Sequence, residues 1–130
     1  MENLCLQTGQ RNVNRDSSVN GLEIVDYPGT GYRRGVEFGG WCVAILNHDE
    51  KFTRPDYVER HNKSDEVFVL LSGEASLVIG ESCTVVKMVR GRVYNVRQGT
   101  WHQIVTVPGT SCLIVENADT DAGNSERQPL

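Results

Sequence analysis

Between residues 22 and 116 the chain is a succession of short apolar or alternating runs, most of them closed by glycine or proline within a few residues. The runs fall at 22–26, 35–46, 57–61, 66–71, 74–79, 84–89, 92–96, 100–107 and 111–116. Ser72-Gly73, Gly80-Glu81, Gly91, Gly99 and Pro108-Gly109 mark breaks between them. No window of helical length repeats its apolar residues every 3.6 positions. Many short strands at regular spacing predict an all-β sandwich or barrel, whose interior can hold a small ligand. The longest run, 35–46, is expected to be one strand bent at Gly39-Gly40.

A length of 130 residues suits one domain. Residues 1–20 are polar and irregular and read as a loose arm or edge element. Residues 120–130 read as a polar tail, which leaves 21–119 for the barrel. The net charge is −4 and no basic run occurs, so no nucleic-acid partner is expected. No basic amphipathic helix or bilayer-length apolar stretch is present, so no membrane partner is expected either. Residues 1–7 lack the charged and apolar regions of a secretory signal. Cys5, Cys42, Cys83 and Cys112 are scattered and form no Cys-x-x-Cys. They read as small hydrophobes in a reduced, cytoplasmic setting rather than as a disulfide framework.

The chemistry concentrates in four residues. Glu59 and His61 are two apart and point to the same face of a strand. Asn62-Lys63-Ser64-Asp65 reads as a turn, and a hairpin would return Glu66 alongside them. His102 lies in a later strand that closes on the same space. Two imidazoles and two carboxylates on one interior face suit a divalent metal such as Zn, Fe, Mn or Ni. The open alternative is that each is structural or solvated. His48, in Asn47-His48-Asp49-Glu50-Lys51, reads as a solvated turn residue.

The same residues resemble the cupins, whose first motif is G-x5-H-x-H-x3,4-E-x6-G. Here Glu59-Arg60-His61 is followed after four residues by Glu66, and after six more by Gly73. The second cupin motif, G-x5-P-x-G-x2-H-x3-N, is matched by Gly91, Gly99 and His102; Arg97 replaces its proline and Thr106 its asparagine. The resemblance covers about residues 36–117. It implies a jelly-roll barrel, the cupin double-stranded β-helix, with Glu59, His61, Glu66 and His102 as ligands. Glu59 stands where most cupins have histidine, which makes the site harder and more negative. Glu59-Arg60-His61, with the run from Val93 to the Trp101-His102 pair, also resembles ureidoglycolate lyase, a narrower cupin family.

Tyr57, Phe68 and Leu70 share strand parity with the ligand set and are expected to line the same cavity, Tyr57 and Phe68 as substrate contacts. Trp101 has the parity opposite to His102 and is expected on the outer face. Arg60, Lys63 and Arg92 are the basic residues nearest the mouth by sequence. An enzyme of small polar metabolites is the first functional expectation. The lyase resemblance implies elimination, with an unligated Glu59 or Glu66 as catalytic base; sugar isomerisation or epimerisation suits the site equally. The alternative is a non-catalytic module that binds a sugar or organic acid. A homodimer is expected, because the polar first twenty residues cannot pack alone and open strand edges invite association.

Overall fold

A computed structural model of the chain describes residues 13–120 and 123–130. The strands are β1 (Asn14–Asp16), β2 (Ile24–Asp26), β3 (Gly31–Phe38), β4 (Trp41–Asn47), β5 (Tyr57–His61), β6 (Glu66–Ser72), β7 (Ala75–Ile79), β8 (Thr84–Lys87), β9 (Val93–Val96), β10 (His102–Thr106), β11 (Ser111–Asn117) and β12 (Ser125–Pro129). The single helical element among the described residues is a 3-10 turn at Glu50–Phe52, whose start is capped by the Asp49 side chain. No described helix is long and apolar enough to cross a membrane.

The strands pair antiparallel. They build a back sheet, β12-β5-β10-β7-β8, and a front sheet, β3-β4-β11-β6-β9. A separate ribbon pairs β1 with β2. Alternation along each strand sends one set of side chains inward. Ala44, Leu46, Phe68, Leu70, Cys112 and Ile114 from the front sheet meet Ala75, Leu77 and Ile104 from the back sheet in one apolar core. The predicted all-β jelly roll is the observed fold.

Several local expectations change. The run 35–46 is not one bent strand. Phe38 pairs with Trp41 across Gly39-Gly40, and Gly39 takes φ +58°, so the chain reverses there as a two-residue hairpin. The segment read as a tail supplies β12, which pairs with β5 from Ser125 opposite His61 to Pro129 opposite Tyr57. Its polar sequence hides it, because an edge strand is held by backbone hydrogen bonds and needs no apolar face. Within the segment read as an arm, residues 14–16 form the edge ribbon; residues 1–12 lie outside the described residues. Cys42 and Cys112 are buried thiols as expected, whereas Cys83 is exposed in the β7–β8 turn. Cys5 lies outside the described residues.

The glycine that closes the first motif has a steric reason. Gly73 takes φ +76°, and a Cβ there would sit 2.5 Å from Thr110 Cα. Thr110 Oγ1 donates to Glu74 O at 2.8 Å and accepts from Glu74 N at 3.1 Å, which locks two connecting turns together. They lie at the end of the sandwich away from the histidines.

Candidate metal centre

Strand parity and sheet pairing assemble the site from both sheets. Tyr57, Glu59 and His61 project inward from β5, and His102 on β10 lies opposite Glu59 in the same back sheet. Glu66 comes from the front sheet. The link after His61 is therefore a crossing between sheets rather than the predicted hairpin, and it sets Glu66 facing the histidines instead of beside them. His61, Glu66 and His102 are 5%, 5% and 2% exposed. Glu66 Oε1 lies 3.0 Å from His61 Nε2 and 2.9 Å from His102 Nε2. The imidazole rings meet edge-on at 5.4 Å, and Phe68 braces His102 at 6.0 Å. Glu59 completes the group, and all four residues offer ligand atoms within 4.8 Å of one another.

These residues fit a divalent transition metal. Thr100 O, which can only accept, lies 2.9 Å from His102 Nδ1, so Nδ1 carries the proton and Nε2 turns inward. His61 Nδ1 is held by Ser125 Oγ at 2.8 Å. Such bonds behind a ligand imidazole orient its ring and raise its basicity. Both inward nitrogens meet a carboxylate, a donor set suited to Zn, Fe, Mn or Ni.

The electrostatics divide the two buried carboxylates. Burial alone would push Glu66 up, but hydrogen bonds from His102 and His61, and their charges, hold it down at about 2. Burial likewise opposes protonation of both histidines, and the Glu66 carboxylate outweighs it and raises them. Glu116 lies opposite Glu66 on β11, with Oε1 3.9 Å from His61 Nε2. Burial, and then the charge of Glu66, push Glu116 up to about 7. The Tyr32 hydroxyl donates to Glu116 Oε2, and burial followed by that carboxylate raises the Tyr32 pKa. Arg34 Nε donates to the Tyr32 hydroxyl at 3.2 Å. Its other nitrogens reach Ala118 O and Thr120 Oγ1, each at 2.8 Å.

A cavity of about 310 Å³ opens over the cluster. Tyr57 and Phe68 line it, with Ile104 and Ile114; Leu70 does not, being set deeper in the apolar core. Its basic residues are Arg34, Lys51 and Arg127. Arg127 stacks 4.2 Å from the Tyr57 ring, and its Nε lies 3.5 Å from Glu59. The three basic residues chosen by sequence proximity do not line the cavity. Arg60 lies on the outer face with its guanidinium 4.5 Å from the Trp101 ring. Lys63 is in the crossing, and Arg92 lies beside the far half of β6, next to Gly91, whose N–H donates to Leu70 O. Trp101 is buried under Arg60. His48 is not a solvated turn residue: its Nδ1 lies 2.7 Å from Thr106 Oγ1, and its side chain is 10% exposed.

Sequence reasoning missed Glu116, Tyr32, Arg34, Ser125 and Arg127. Glu116 carried one signal, an acidic residue at an inward position of an otherwise apolar strand. Arg127 and Ser125 carried none, because β12 itself was not foreseen.

No protein-family model matches the sequence, and no curated protein matches it. Solved structures do match. Pac13, a nucleoside dehydratase from Streptomyces whose structure was also solved with uridine, is 9% identical, covering 93% of this chain and 88% of its own at a TM-score of 0.60. KdgF from Halomonas is 11% identical over 83% of this chain and 88% of its own, with a TM-score of 0.56. A cupin-2 domain protein from Shewanella frigidimarina is 17% identical over 67% of this chain and 79% of its own, with a TM-score of 0.54. At these identities the likeness is one of fold, and the fold is that of the cupins. It does not extend to the narrower resemblance to ureidoglycolate lyase.

Proposed function

Starting from a cupin barrel, we propose that this protein is a metal-dependent enzyme of a small polar metabolite, acting by elimination or by isomerisation. One observation carries the reading. Three buried donors, His61, Glu66 and His102, converge with Glu59 at the base of a cavity whose lining includes three cations. Glu59, His61, Glu66 and His102 would hold the ion, which would polarise a substrate hydroxyl or carbonyl.

The remaining work falls to the chain itself. Arg34, Lys51 and Arg127 give an acidic substrate charge-assisted partners. Tyr57 and Phe68 form apolar wall. Elimination needs one group to take a proton and another to deliver one to the departing atom. Glu116 stands outside the ligand set, next to His61, with Tyr32 bonded to it. That makes it a better proton carrier than Glu59 or Glu66, whose carboxylates the ion would occupy. Elimination also agrees with the dehydratase named among the structural neighbours and with the motif resemblance to a lyase.

A second reading has one observation in its favour. Glu66 is already satisfied by both histidines, so the cavity also suits a metal-free module that binds a sugar or organic acid. Metal analysis of protein purified without chelator or metal-affinity tag separates the two. Stoichiometric metal, with a rise in melting temperature on adding Zn, Mn, Fe or Ni, is expected. Metal-free protein that no divalent ion stabilises would leave the second reading.

A further inference from the structure

The four residues of the candidate metal centre are not equally committed to one another. Both histidines close on Glu66 Oε1, which makes a buried triangle of His61, Glu66 and His102. Glu59 stands at its rim, and its side chain is 25% exposed. Its charged partner is Arg127, directly opposite on β12, whose Nε lies 3.5 Å from Glu59 Oε1. That separation is an ion pair longer than an ordinary N–H···O bond, so it is a loose hold. The second hold on Arg127 does not need Glu59: the guanidinium lies over the Tyr57 ring at 4.2 Å. The other cations of the cavity are placed differently. Arg34 is bonded to Tyr32, Ala118 O and Thr120. Lys51 lies over Phe52 at 5.4 Å.

We propose that Arg127 is a substrate anchor held by Glu59 in the metal-free protein and released to a substrate carboxylate when Glu59 joins the ligand set. The proposal rests on the metal-enzyme reading and deepens it. A carboxylate shared with a divalent ion loses most of its attraction for a neighbouring guanidinium, because the ion becomes the largest local charge. Once freed, Arg127 stays over Tyr57 and in the cavity lining, and its planar fork suits a carboxylate. Glu59 alone separates it from the other donors, so one small molecule can bridge the two places. A hydroxyl or carbonyl at the ion and a carboxylate at Arg127 describe a small hydroxy or keto acid.

The test uses the full-length protein, stripped of metal and titrated with Zn against a chromophoric chelator. Wild type is compared with Arg127→Gln and Lys51→Gln. Both side chains are exposed, so both variants fold. Lys51→Gln removes the same charge from the same cavity without touching Glu59. Arg127→Gln is expected to raise Zn affinity about twofold to fivefold, the worth of an exposed ion pair, and more than Lys51→Gln does. Calorimetry then compares gluconate with sorbitol, which keeps the hydroxyl chain and lacks the carboxylate. Zn-loaded wild type should bind gluconate about tenfold more tightly than sorbitol. Metal-free wild type and Zn-loaded Arg127→Gln should show no such preference. The proposal is overturned if Zn-loaded wild type does not prefer gluconate, or if the preference survives Arg127→Gln. It is also overturned if Arg127→Gln raises Zn affinity no more than Lys51→Gln. A wild type that takes up no Zn removes the metal reading itself, and the anchor falls with it.

Discussion

The two ends of the barrel interior are built from the same strands and do opposite things. β6 starts at Glu66 and continues through Phe68 to Leu70. β10 starts at His102 and continues to Ile104, and β11 arrives through Cys112 and Ile114 at Glu116. One end therefore holds two histidines and three carboxylates, while the other holds Leu70, Ala75, Leu77, Met88 and Cys112. Two inward positions along a strand, roughly 13 Å of rise for four residues, separate chemistry from core. The polar end is tolerable because its buried groups partner one another: Glu66 with both histidines, and Glu116 with Tyr32. Stability is concentrated where no chemistry is needed, which leaves the other end free to carry strained electrostatics.

The sharpest division would come from Leu77→Ala set against His102→Ala. Leu77 is 2% exposed in the apolar end, and its truncation is expected to cost about 2–4 kcal/mol in urea unfolding while metal content stays unchanged. His102→Ala should abolish metal uptake and the metal-induced rise in melting temperature. It should leave a folded barrel that loses less stability than Leu77→Ala, because Glu66 can take up a proton in place of its lost partner. A Leu77 variant that loses its metal, or a His102 variant that does not fold, would erase the separation between the ends.

Within the polar end, the two carboxylates should respond to pH with opposite signs. Glu116 keeps its proton to about pH 7 in the fold, but only to about pH 4.3 once unfolded. The native state then binds the extra proton in that window, and stability falls as pH rises through it. Glu66 is held low, so its contribution is present above the unfolded value and is lost as pH falls toward about 2. In metal-free protein, Glu116→Gln should flatten the decline between pH 4.3 and 7 by about 1–3 kcal/mol, read as the pH dependence of urea unfolding. An unchanged profile would mean that Glu116 titrates normally. The smallest effect is expected from Ser125→Ala, which removes the bond behind His61. Metal affinity should drop about tenfold with the melting temperature of metal-free protein nearly unchanged. Competition against a chromophoric chelator measures it, and equal affinities would show that β12 does not orient the ligand.

Much of this was readable along the chain. Glu59 with His61, and Glu66 with Phe68, are placed by the two-residue period of a strand, and Gly73 was legible as a turn, although the close approach to Thr110 that excludes any Cβ there was not. The misreadings share a cause. Gly39-Gly40 could bend a strand or reverse it, and only the pairing of Phe38 with Trp41 decides. His48 sits in a polar stretch, yet a threonine 58 positions away receives it. Arg92 is near the second motif by sequence and at the wrong end in space.

The sequence by itself determined the strands between residues 57 and 116, the all-β class and which of the ligand residues share a strand face, because strand periodicity is a local property. Tertiary structure alone decided that Glu66 faces the histidines from the opposite sheet and that Glu116 stands beside it. It also decided that a polar terminal strand carries Ser125 and Arg127 to the site. Those relations depend on register between residues far apart in the chain, Ser125 opposite His61 and Trp41 opposite Asn117, and no local pattern encodes that register.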